Sequence, residues 1–340
     1  MGKRYRIAVL GAGDMGRCHV QGWQLAGHEV VSITDTDKNR AFDLAKKAGV
    51  EQVYMDFTES VTRSDIDVVS IALPLVYHGP ATILAAQHGK HVFCEKPLAS
   101  SWEEVERMQK AVKEAGVKFG LGFQRNFAHG VELVQKWAEE GVFGSPMVFS
   151  SDLLQEVRPK IAMHDKDGNQ GPVVDTCCHF FLMWQTIFRS KPKKVYARGG
   201  ILGKGRPEIA HFKELAVDTA IITIEYESGD IGTMTISWGL AKDTQLQANP
   251  DRIFGPKGGA VGYFNTWGRD SGTEVKLYIG DQLEVVPLEK RELHKVEFEA
   301  FIEALQTNAP EPYGFELGME MLKLSYAVLE SIETGQVVTV

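Results

Sequence analysis

Cysteine is scarce: Cys18, Cys94, Cys177 and Cys178 are the four in 340 residues. That is no disulfide framework, and the adjacent Cys177 and Cys178 are poorly placed to bond to each other. No C-x-x-C spacing occurs, so a structural zinc site has no support and no metal is expected. Free buried thiols in a reducing compartment are the simpler expectation. Long apolar runs are missing as well. No stretch of roughly 18 uncharged apolar residues, the length of a membrane span, occurs. The run Ile7 to Leu10 is too short for a signal-peptide core. A cytoplasmic protein without a membrane partner is expected. Excess positive charge is also absent, with 37 Lys and Arg against 45 Asp and Glu and a net charge of -8, which argues against nucleic acid as a partner. Internal repeats and low-complexity segments are lacking. What is present is 44% hydrophobic and 24% charged, a globular composition, at a length that suggests two domains.

The first third alternates in kind. Short β-rich runs (Tyr5–Leu10, Glu29–Thr34, Val68–Ala72, His91–Cys94, Val117–Leu121) are separated by helical patterns (Met15–Ala26, Asp37–Ala48, Gly79–His88, Trp102–Ala115). The strands are apolar almost throughout, as in a parallel sheet covered on both faces. After residue 145 β-type runs dominate: Met147–Leu154, Val195–Gly199, Ala216–Glu227, Ile231–Ser237 and Val275–Ile279. This predicts an α/β chain with a doubly wound Rossmann domain over 1–125. A second α/β domain with an open, mostly antiparallel sheet follows over 126–340. Helices are expected over Val173–Phe188, Arg291–Leu305 and Phe315–Thr334, the last (about 314–334) a candidate to pack back on the first domain. The long polar loop Gln155–Gly171 is a candidate functional segment.

Gly11-Ala12-Gly13-Asp14-Met15-Gly16 is G-x-G-x-x-G directly after an apolar strand and at the start of a helix. In that context Gly11 permits the tight turn, Gly13 lets backbone approach a pyrophosphate, and Gly16 lets helix pack close on sheet. The helix amides, with Asp14 and Met15 in the loop, then meet the phosphates. Asp35 ends the second strand, 19 residues after Gly16. Its carboxylate can accept from both adenosine ribose hydroxyls and repels a 2'-phosphate, favouring NAD over NADP. Arg40 lies close enough to join that subsite.

The stretch Gly89-Lys90-His91-Val92-Phe93-Cys94-Glu95-Lys96-Pro97-Leu98 resembles the G-K-H-V-x-x-E-K-P-L signature of the Gfo/Idh/MocA oxidoreductases. Leu73-Pro74-Leu75-Val76-Tyr77-His78 is similar to that family's T-P-N-x-x-H, with Leu for Thr and for Asn. Gly122-Phe123-Gln124-Arg125-Asn126-Phe127 is similar to its G-F-N-x-R-F, with Gln124 at the amide position and Asn126 where the family has Arg. Asp175-Thr176-Cys177-Cys178-His179 matches D-x-x-x-H. The motifs come in family order and run through both halves.

The resemblance implies an NAD-dependent dehydrogenase acting on a secondary hydroxyl of a sugar, sugar derivative or cyclitol, built as a homodimer or homotetramer through the outer face of the second sheet. It makes Lys96, Asp175 and His179 the catalytic candidates. Lys96, at the carboxyl end of a buried strand, can stabilise charge on the reacting oxygen or move a proton. His179 can take the substrate's proton, and Asp175, four residues earlier on a helical pattern, would share its face and orient it. Which of Lys96 and His179 is the main base stays open. Leu73, Pro74, His78, Glu95, Lys96 and Gln124 are expected at the cofactor, and Lys96, Arg125, Arg158, Asp175, Thr176 and His179 at the small polyhydroxylated substrate. His164 and Asp165 are expected in solvent, and Trp238 in the core. Two other readings remain: a glycosidase that uses NAD for transient oxidation and elimination, and a non-catalytic NAD-sensing regulator.

Overall fold

The computed structural model describes residues 3–157, 163–265 and 272–340. The first 124 residues alternate β1 (Arg6–Leu10), α1 (Asp14–Leu25), β2 (Glu29–Thr34), α2 (Lys38–Ala48), β3 (Gln52–Tyr54), α3 (Phe57–Val61), β4 (Val68–Ile71), α4 (His78–Gln87), β5 (His91–Glu95), α5 (Trp102–Ala115) and β6 (Phe119–Gly122). Then come α6 (His129–Glu139), β7 (Val148–Glu156), α7 (Gly171–Asp175), α8 (Cys177–Phe188), β8 (Pro192–Gly200), β9 (Thr219–Tyr226), β10 (Ile231–Leu240), β11 (Asp251–Phe254), β12 (Gly258–Gly262), β13 (Glu274–Ile279) and β14 (Gln282–Pro287). The chain closes with α9 (Leu293–Thr307), α10 (Phe315–Thr334) and β15 (Val338–Thr339).

Two compact units result. The first is Met1–Gln124 with Glu292–Met319; the second is Arg125–Arg291 with Glu320–Val340. A single break near residue 125 therefore does not describe the chain, because α9 and the first turn of α10 return to the first unit. The reason is apolar. Trp23 of α1 stacks on Phe298 of α9 with ring centroids 4.0 Å apart, and Gly22 leaves room for that contact. Phe315 stacks on Phe119 at 4.0 Å.

The first unit holds a parallel sheet in the order β3-β2-β1-β4-β5-β6. β1 and β4 are neighbours but not consecutive, so the winding reverses there and opens a crevice at the carboxyl ends of the strands. β1 and β4 are buried almost throughout because helices cover both faces. Asp37 caps α2 and Ser101 caps α5, each accepting backbone N–H groups of the first turn.

The second unit holds a mixed, mostly antiparallel sheet. Its described strands run β14-β13-β12-β11-β7-β10-β9-β8-β15, with β7 and β10 the one parallel pair among them. Strict alternation marks β9, where Ala220, Ile222 and Ile224 are buried while Ile221 is 64% exposed. The short strands β3, β11 and β12 lie outside the runs expected from sequence. β14 matches no alternation rule, since most of it is exposed. The helix expected over Val173–Phe188 is interrupted: Thr176 has φ -119° and separates α7 from α8. Asp175 and His179 are thus not on one continuous helical face.

Candidate active site

In the first unit the glycine loop has the geometry its sequence requires. Gly11 has φ +102°, and a Cβ there would lie 2.3 Å from the Ala72 carbonyl oxygen at the end of β4. A Cβ on Gly16 would lie 1.9 Å from the Gly11 oxygen. Around Gly13 there is open space, and Gly13 caps α1 without any side-chain hydrogen bond. The first-turn amides of a helix have no partner within it. A cradle bounded by backbone, which a larger side chain at Gly13 would fill, is what a pyrophosphate needs. Met15 is half-buried and Asp14 is exposed, paired with Arg17.

Asp35 is not a helix cap. Its Oδ2 accepts from Ala12 N at 2.8 Å and its Oδ1 from Asp37 N at 2.8 Å, so the carboxylate is tied to the glycine loop. Arg40 donates to Asp35 Oδ1 at 3.2 Å and also pairs with Asp37. Leu73 and Pro74 follow β4. His78, expected at the nicotinamide, is instead 1% exposed, with Nδ1 2.8 Å from the Pro97 oxygen and Nε2 2.9 Å from the Leu73 oxygen. Both neighbours are acceptors, while burial pushes the ring's pKa down. His78 braces the loop after β4 against the segment after β5.

β5 ends in Glu95 and is followed directly by Lys96, which is half-buried; the Lys96–Pro97 peptide is cis. Glu95 is buried. Its Oε1 lies 3.1 Å from His19 Nε2 and its Oε2 accepts Lys96 N at 3.2 Å. Burial opposes a carboxylate here, yet the His19 hydrogen bond and the nearby charge of Lys96 hold it below its ordinary range. Gly122 on β6 faces it, and a Cβ there would come within 3.3 Å of the carboxyl group. Gln124, just beyond β6, is 3% exposed and its Oε1 has no hydrogen-bond partner. A buried orphan acceptor at this end of the sheet suits the amide or hydroxyl of a bound dinucleotide. The residues present therefore fit NAD.

Behind Glu95, α9 brings His294 and Glu297, which sequence reasoning passed over. Glu297 accepts Phe123 N at 2.5 Å, and burial together with the Glu95 charge pushes its carboxyl group well above the ordinary range. His294 is pushed down to about 4 by burial and by His19. The unfolded chain binds this proton near pH 6.5, but the folded chain refuses it until about 4. Stability is therefore lost as pH falls through that window, by on the order of 3 kcal/mol at its lower end. Thermal melts should show Tm dropping between pH 6.5 and 4, with a shallower drop in His294→Gln. Parallel curves for the two proteins would remove His294 from that slope.

In the second unit Asp175, Thr176 and His179 are all buried. Asp175 ends α7, Thr176 forms the joint, and His179 sits in the first turn of α8, its N–H donating to the Thr176 oxygen at 3.2 Å. Asn126, standing where the family has Arg, donates to the His179 carbonyl at 3.4 Å. Arg125 is half-buried, and its charge reaches Asp251. Burial raises that carboxyl group to about 6 against hydrogen bonds from Ser151 Oγ and Phe264 N. Arg158 lies outside the described residues. His164 is not solvated: it is fully buried, 6.1 Å from the ring of Trp238, which is itself in the core. Asp165 bridges Leu215.

The open glycine loop at the winding reversal, the Asp35 carboxylate tied to it and the lysine at the end of β5 are the features of a dinucleotide-binding oxidoreductase of two units. The chain belongs to the Gfo/Idh/MocA family: the pattern described as "Oxidoreductase family, NAD-binding Rossmann fold" matches residues 5–123, and its "C-terminal alpha/beta domain" matches 136–340. It is 27% identical over 333 residues to the myo-inositol 2-dehydrogenase of Thermotoga maritima, covering 96% of each chain. It is 30% identical over 239 residues to the scyllo-inositol 2-dehydrogenase (NAD(+)) of Bacillus subtilis, covering 70% of this chain and 68% of that one. A levoglucosan dehydrogenase solved with NADH and levoglucosan shares the fold with a TM-score of 0.86 at 23% identity, over 99% of this chain and 100% of that one. Among the described residues no helix is long and apolar enough to cross a membrane.

Proposed function

We propose that this protein is an NAD-dependent dehydrogenase that oxidises a secondary hydroxyl of a sugar, sugar derivative or cyclitol, reversibly. The observation that carries the reading is the lysine-bearing end of β5, at the same carboxyl edge of the sheet as the glycine loop after β1, in a chain akin over nearly its whole length to an inositol dehydrogenase. Bound NAD supplies the hydride acceptor. The protein's part is to hold the carbinol and manage its proton. The Lys96 ammonium donates to the reacting oxygen and stabilises the charge that develops there. His179, in the first turn of α8, takes the hydroxyl proton, and Asp175 stabilises the imidazolium that results. Arg125, Arg158 and Thr176 supply hydrogen bonds to further hydroxyls. Asp35 disfavours a 2'-phosphate, and its ion pair keeps Arg40 from welcoming one. The free cysteines suit a reducing compartment, the cytoplasm.

Absorbance at 340 nm with NAD and a panel of inositols, aldoses, sugar acids and glycosides tests this. NADH formation on at least one polyol is expected. Release of an aglycone without net NADH would point to elimination chemistry, and silence across the panel would point to a regulator.

The uncovered face of the second sheet fits a second copy of the chain. Register rows place Phe254, Gly259, Tyr278 and Leu283 side by side across four strands, and Tyr196 and Ile221 lie on the same face at the other end. Phe254, Tyr278, Leu283 and Ile221 are each at least 40% exposed. Exposed aromatic and aliphatic side chains grouped on one sheet face suit a protein–protein contact. The double variant Ile221→Glu, Tyr278→Glu should run as a monomer in light scattering where the unchanged protein runs as a dimer or tetramer. An unaltered mass would place the interface elsewhere.

A further inference from the structure

Beneath Lys96 lies a buried polar file that the reaction as described leaves unused. Trp23 Nε1 donates to Ser70 Oγ at 2.8 Å, Ser70 Oγ lies 2.8 Å from His19 Nδ1, and His19 Nε2 lies 3.1 Å from Glu95 Oε1. Trp23, Ser70 and His19 are fully buried and Glu95 is 4% exposed. Chemistry fixes the polarity at both ends. The indole can only donate and the carboxylate can only accept. His19 Nε2 therefore carries its proton towards Glu95, and in the neutral ring Nδ1 receives the Ser70 hydroxyl. With the His19 ring in its neutral form every donor points towards Glu95, and such aligned chains strengthen each bond in them. The other Glu95 oxygen holds the Lys96 amide.

We propose that Trp23, Ser70 and His19 form a donor chain that keeps Glu95 ionised and, through Glu95, keeps Lys96 charged and in place. His19 is thereby a positioning residue for Lys96. This rests on the reading of Lys96 as the group that works on substrate. The groups around Glu95 agree on the need for such a chain. From α9 come His294, which burial and His19 push down to about 4, and Glu297, whose carboxyl group burial pushes well above its ordinary range; neither supplies a cation at neutral pH. From α1 comes Cys18, which feels the Glu95 charge, and from α4 comes His78, which feels both Glu95 and Lys96. The ligand atoms of His19, Glu95 and His294 lie within 4.8 Å of one another. The hydrogen bonds already engage His19 and Glu95, so the set is assigned as a proton-ordered file rather than a metal centre.

The test reads Lys96 directly, without turnover. Competitive acetylation of the intact protein across a pH series, followed by peptide mass spectrometry, gives the midpoint at which Lys96 becomes reactive. His19→Leu and Glu95→Gln should each move that midpoint down by roughly one pH unit, and the double variant no further. His19→Gln, which keeps a donor near the Nε2 position, should stay near the unchanged protein. Glu95→Gln is isosteric and carries the test if His19→Leu does not fold. An unmoved midpoint in Glu95→Gln, additive shifts in the double variant, or stoichiometric metal that is lost in His19→Leu would each overturn the proposal. If polyol oxidation fails while these shifts appear, the functional reading is wrong and the donor chain stands.

Discussion

Lys96→Ala should lose turnover by at least about 10³-fold while its affinity for NAD changes by less than about threefold. The lysine leaves β5 at the carboxyl edge of the sheet, where ligands bind in this architecture, while the glycine loop and Asp35, proposed to hold the dinucleotide, are separate elements. Removing the ammonium takes away charge stabilisation needed only as the reacting oxygen changes state, so the loss should fall on kcat. Lys96→Arg should not restore the rate, because a planar guanidinium cannot reproduce a compact ammonium at one oxygen. Steady-state kinetics with calorimetric NAD titration checks both halves. Near-normal kcat in Lys96→Ala would remove the lysine from the chemistry.

Gly13→Val should have the opposite profile: a normally folded protein that has lost NAD. The backbone at Gly13 has φ -74°, ordinary for any residue, and a Cβ there meets nothing within 4 Å. The fold should tolerate valine, but the valine would stand in the space where the phosphates approach, costing at least about 100-fold in affinity, or about 2.7 kcal/mol. Gly16→Ala is the contrast, because its Cβ would meet the Gly11 oxygen at 1.9 Å and the cost would fall on stability. Circular dichroism, thermal melts and NAD titration separate the two. A Gly13→Val protein with intact NAD affinity would show that the dinucleotide does not cross this loop.

The parts of this design legible in sequence are those governed by local rules. The apolar runs of β1, β2, β4 and β5 announce buried parallel strands, and the glycines of 11–16 stand where backbone crowding leaves no choice. The second unit was legible as a texture of strands, but β11, β12 and β14 were not. Their residues carry no strong period of their own and take strand form from their neighbours. The joint at Thr176 escaped because an apolar helical pattern runs straight through it. His164 escaped for a related reason: a polar stretch reads as solvated, although the chain folds it against Trp238. The return of α9 is a tertiary fact. Nothing in the spacing of His294 and Glu297 says that they lie behind Glu95, since that follows from Trp23 stacking on Phe298. His19, one turn beyond Gly16, was a visible polar residue on an otherwise buried helix face, and only the fold shows its partner.

The most direct measurement is the fate of deuterium. A polyol that supports NADH formation, deuterated at its carbinol carbons, is turned over with unlabelled NAD, and the NADH is examined by mass spectrometry. One deuterium per NADH, with a slowed rate, is the result predicted for hydride passing from a secondary carbinol carbon. Substrate converted with no label in the nicotinamide ring would contradict the dehydrogenase assignment outright.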